Sequence, residues 1–86
     1  METISDGLRI IYSLIDKGHL DNALWEITEL EQYVKKKNPG LLDKYHLKTY
    51  FMKWRTRLMR PNNHGIRLVL DDIELLAKKL ENVVID

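Results

Sequence analysis

The 86-residue chain contains no cysteine, which excludes a disulfide framework, a thiolate metal site and a cysteine nucleophile. That composition fits a reducing compartment, and we read a soluble, cytoplasmic protein. Only two prolines and four glycines occur. Neither is concentrated into a linker, so residues 1–86 read as a single helical domain with room for three or four elements. No apolar run approaches the roughly 20 residues that a membrane-spanning helix requires. The opening METISDGLRIIYSLID lacks a basic lead, and Arg9 and Ser13 interrupt its apolar residues, so it reads as part of the fold rather than as a targeting segment. A Gly-rich phosphate cradle is also missing, and Ser5 and Ser13 have no base partner nearby in the sequence.

What remains is helical periodicity, with no segment alternating as a strand would. The first segment places Ile4, Leu8, Ile11 and Ile15 on one stripe, with Ser5 or Asp6 as N-cap, and ends at Gly18. The second starts near Leu20 or Asp21 and aligns Leu20, Ala23, Leu24, Ile27, Leu30 and Val34. It stops in KKKNPG, where cations suit the C-terminal carbonyls and Pro39 and Gly40 halt propagation. The third runs from about Leu41 to Arg60, ahead of a PNNHG loop. The fourth carries the longest seam, Ile66, Val69, Leu70, Ile73, Leu76, Ala77, Leu80 and Val83. Four amphipathic helices with short connections predict an all-α fold, a small antiparallel four-helix bundle or two stacked helical hairpins.

Three local patterns bear on kinship or chemistry. The stretch LIDKGHLDNALWEITELE, residues 14–31, resembles a single tetratricopeptide unit, with Gly18, Ala23 and Ile27 near that repeat's small and apolar positions. It implies a helical hairpin there, but no second copy follows, and such repeats need neighbours to bury their faces. Arg57 and His64 form an R-x6-H spacing similar to that of HEPN-type metal-independent ribonucleases, which would make Arg57 a phosphate stabiliser and His64 an acid or base. Leu58 stands where those proteins usually have a polar residue. Asp16 with His19 and Asp43 with His46 are D-x-x-H pairs, but Asp replaces the Glu of di-iron bundles and Gly18 interrupts the first. We therefore assign no catalytic residue, metal or cofactor, and read a non-enzymatic protein.

Net charge is small, and the charges are unevenly placed. The net charge is +1, yet from residue 32 to 67 ten Lys and Arg face Asp43 alone, whereas up to residue 31 only Arg9 and Lys17 oppose seven acids. The centre of this basic region, KYHLKTYFMKWRTRLMR, sorts into faces at about 100° per residue. Leu47, Tyr50, Phe51, Trp54 and Leu58 make a core stripe. Leu41, Tyr45, Thr49, Met52, Thr56 and Met59 make a second, bordered by Lys44, Lys48 and Arg55 on one edge and by Lys53, Arg57 and Arg60 on the other. Either the basic helix pairs with acidic rims across the bundle, or the second stripe is a binding site. Methionine adapts to irregular surfaces and arginine recognises carboxylates, so the stripe suits an acidic protein surface or a second copy of the chain. Nucleic acid is the alternative, through the same cations. The candidate partner-binding residues are Tyr45, Lys48, Met52, Arg55, Arg57, Met59, Arg60 and Trp25, the last because it lies off its helix's apolar stripe and Trp is enriched at interface hot spots.

Overall fold

The computed structural model describes residues 3–85. It contains five helices: α1 Ile4–Asp16, α2 Leu20–Lys37, α3 Gly40–Lys44, α4 Leu47–Met59 and α5 Asn63–Lys79. The chain is all-α, as its periodicity predicts. The four long helices form a ring in which α1 touches α2 and α5, and α4 touches α2 and α5, with no diagonal contact among the described residues. The short α3 bridges α2 and α4.

Directions around this ring follow from particular pairs. Gly18, at φ 81°, closes α1 with a Schellman arrangement: its N–H donates to the Ile15 carbonyl at 3.0 Å and the His19 N–H to the Leu14 carbonyl at 2.8 Å. The chain reverses there, so α2 runs antiparallel to α1. At the other end of α1 the buried Ser5 hydroxyl donates to the Ala77 carbonyl of α5 at 2.9 Å, and Thr3 forms an isolated antiparallel bridge with Val84. The start of α1 therefore lies beside the end of α5. The Trp54 indole and Lys53 of α4 both reach Asp72 of α5, and Tyr45 and Tyr50 share a cleft with Leu75 and Lys79. α4 and α5 are thus antiparallel as well, and α4 must oppose α2.

The predicted stripes form one core. Ile4, Leu8, Ile11 and Ile15 meet Ala23, Ile27, Leu30 and Val34 from α2, Leu47, Phe51, Trp54 and Leu58 from α4, and Val69, Ile73, Leu76 and Leu80 from the C-terminal region. Tyr50 packs at the core's margin, half-buried. Trp54 is its largest fully buried side chain and lies edge-on to Phe51, ring centroids 5.5 Å apart. Its N–H would be costly without a partner, and the bond to Asp72, at 3.2 Å, supplies one.

Four boundaries differ from the sequence expectations. Thr3, not Ser5 or Asp6, caps α1, with Thr3 and Asp6 forming a reciprocal capping box, while Ser5 turns inward. The PNNHG segment is not all loop: the Asn62 side chain accepts from the Gly65 N–H at 2.7 Å, and α5 begins at Asn63. The last helix ends at Lys79, because the following residues turn back so that Ile4 N–H donates to the Val83 carbonyl and Ile85 is buried.

The third helix is the largest departure. It is not continuous from Leu41 to Arg60 but breaks at Tyr45 and His46, where His46 adopts the left-handed conformation at φ 55°. Extending α4 backwards at about 100° per residue would aim both Leu41 and Leu42 away from the core. The break instead buries both. Burial of two leucines stabilises by about 1.5–3 kcal/mol each, which exceeds the cost of about 1–2 kcal/mol for one non-glycine residue in the left-handed region.

Candidate partner-binding face

α4 divides sharply. Its inward residues Leu47, Phe51, Trp54 and Leu58 are buried, and its outward methionines are not: Met52 is 61% and Met59 70% exposed. Lys48, Thr49 and Thr56 are exposed beside them. The Thr56 hydroxyl folds back onto the Met52 carbonyl at 3.1 Å, so it adds little polarity to the ridge. At the α3 end Met52 and Lys48 open onto a cleft of ≈ 260 Å³ that is also lined by Leu42, Asp43, His46 and Thr49. The helical break creates this recess.

Of the candidate cations, Arg55 is engaged within the fold. Its guanidinium forms a half-buried ion pair with Glu31 of α2. Lys53 pairs with Asp72 at 3.5 Å and sits 5.3 Å from the Tyr50 ring centroid. The expectation that the basic helix pairs with acidic rims therefore holds for these two residues. Lys48 and Arg60 are exposed and form no ion pair among the described residues, and Arg57 is half-buried beside Gly65 at the start of α5.

Two candidates are not where a single helical wheel puts them. Tyr45 precedes the break, and instead of joining Met52 it is half-buried in a separate cleft between α4 and α5 with Tyr50, Asp72, Leu75, Leu76 and Lys79. The Met52 and Met59 ridge is on the other side of α4, the side turned toward α2 through Arg55. Trp25 is 61% exposed on α2. At about 100° per residue it points nearly opposite to the Ala23, Ile27, Leu30 and Val34 stripe, a corner position rather than a place on the α4 ridge. It does not pack under Leu41 or Leu42.

The structure also gathers residues that the sequence reading had treated separately. Lys35, Lys36 and Lys37 end α2, Lys44 ends α3, Lys48 lies in the first turn of α4 and Lys79 ends α5. Ring geometry puts all of these at one end of the bundle. The KKK run is the available signal, and its place in the sequence points only to the carbonyls of its own helix.

No group of three or more His, Asp or Glu that could hold a metal occurs among the described residues. Leu58, following Arg57, is a core residue, and His64 is exposed in the first turn of α5. No helix among the described residues is long and apolar enough to cross a membrane. Comparison with protein-family models, curated proteins and solved structures gives no match.

Proposed function

We propose that the chain is a non-enzymatic, cytoplasmic interaction module that binds an acidic protein surface through the outward ridge of α4. The supporting observation is the exposure of Met52 and Met59 on a helix whose opposite face is fully buried. Both methionines project where the fold has no use for them, with Lys48 and Arg60 unpaired nearby. Adaptable apolar side chains beside free cations suit a partner with apolar residues flanked by carboxylates. Self-association through the same ridge is a further use of this surface. Nucleic-acid binding by α4 itself is less well supported, since Arg55 and Lys53 already have carboxylate partners.

Met52→Asp tests the proposal. Proteins retained by the immobilised wild type from a host extract would be identified, and the acidic ones purified and titrated. The expected result is a partner whose affinity falls at least about tenfold with Met52→Asp while melting is unchanged, about 1.4 kcal/mol of binding. A partner bound equally by both proteins would reject the ridge.

A further inference from the structure

We infer a second surface, which adjoins the α4 ridge at Lys48: the α3 end of the bundle is a docking site for the phosphate backbone of nucleic acid. Lys35, Lys36, Lys37, Lys44, Lys48 and Lys79 are exposed there, and none forms an ion pair among the described residues. The convergence is physical, not only topological. Lys36 lines a cleft with Gly7 near the start of α1, and Lys79 shares one with Tyr45 and His46 at the α3–α4 break. The acids described at this end are Asp6, Asp43 and Glu81, with Glu26 and Glu29 lining the Lys36 cleft and Asp72 the Lys79 cleft; Asp6 is occupied in the α1 capping box and Asp72 pairs with Lys53.

Helix-end electrostatics explains part of this cluster. Cations at the C-terminus of α2 and of α5 favour the local dipoles. Lys48 has no such account, because it occupies the first turn of α4, where a cation opposes the dipole and where no acid is present. Lys44 sits 5.5 Å from the Tyr45 ring centroid with no carboxylate partner.

The composition of the patch selects the occupant. Lysines are compact, strongly hydrated point charges, depleted from protein interfaces but effective phosphate neighbours. Of the exposed large hydrophobic residues assigned to protein binding, Met52 meets the lysine cluster at Lys48, with which it shares a cleft, and Met59 lies at the far end of α4. Val84, at 38%, and Leu75, at 70% in the Lys79 cleft, are the large apolar side chains exposed at this end. That is too little to insert into a bilayer. The bundle is about 20 Å across. A duplex carries one charge per about 1.7 Å of axis, so such an end spans on the order of a dozen phosphates, ample for six lysines.

The test is fluorescence anisotropy with a labelled 20-base-pair duplex and a 20-nucleotide single strand, from 50 to 200 mM salt. The expected result is sequence-independent binding whose log affinity falls with log salt at a slope of about −3 to −5 on the duplex. The charge reversal Lys36→Glu with Lys44→Glu should flatten that slope by about two and weaken binding at least tenfold at 50 mM salt. Lys17→Glu with Arg67→Glu applies the same change in net charge at the opposite end, and should alter affinity less than threefold. Circular dichroism melts of both variants confirm folding, since all four side chains are exposed. Absence of binding at 50 mM salt would overturn the inference. So would equal losses in the two double variants, or tighter binding to poly-glutamate or to phosphatidylserine vesicles than to either oligonucleotide.

Discussion

The α1–α5 pair and the α3–α4 segment are built by opposite means. Where α1 meets α5, the polar groups of the chain ends are spent on the fold: Thr3 caps and bridges, Ser5 donates to Ala77, and Val83 accepts from Ile4. Along α3 and α4, by contrast, the backbone carries a left-handed histidine and the outer surface carries unburied methionines. The first region spends its polar groups on holding the chain ends together. The second shows one helix serving stability on its inner side and leaving Met52 and Met59 exposed on its outer side.

The largest effect should come from removing what the two regions share. Trp54→Ala would empty the centre of the core, costing about 3–5 kcal/mol, and chemical denaturation should show a chain too unstable to remain folded at ambient temperature. Ile73→Ala or Leu76→Ala on α5 should cost about 2–5 kcal/mol by the same measurement. A Leu76→Ala protein melting like the wild type would contradict the packing described for α5.

Ser5→Ala separates the regions more finely. It deletes one buried hydrogen bond at the α1–α5 junction and should lower stability by about 1 kcal/mol, read from urea titration. His46→Gly should act in the other direction. Relief of a left-handed conformation worth about 1–2 kcal/mol is offset in part by glycine's unfolded-state entropy, leaving a gain of about 0.5–1 kcal/mol and a higher melting temperature. A loss on His46→Gly would mean that the imidazole holds the break together.

How much of this was legible in the sequence follows the same division. The stripes of α1, α2 and α5 could be read because each is continuous over several turns, and burial enforces that period. The break at His46 could not, since no glycine or proline marks it. It arises because Leu41 and Leu42 need burial that a straight helix would deny them, a tertiary requirement overriding local pattern. Tyr45 was therefore joined to Met52 by a wheel that does not exist across residue 46. Exposure of Met52 and Met59 was readable because both follow the break, within one uninterrupted helix. The meeting of Lys35, Lys44, Lys48 and Lys79 depends on how four helices close into a ring, which no single stretch encodes.

The smallest expected effect concerns the central claim, that α4's outer ridge is dispensable for folding. Met52→Asp should change stability by no more than about 0.5 kcal/mol. The most direct measurement is native-state oxidation by hydrogen peroxide, read by peptide mass spectrometry on the wild-type protein at low concentration. Exposed thioethers oxidise without unfolding. The expected result is that Met52 and Met59 convert to sulfoxide at rates close to those in the denatured chain, with helicity retained. Protection of both methionines in the folded monomer, released only on denaturation, would contradict it.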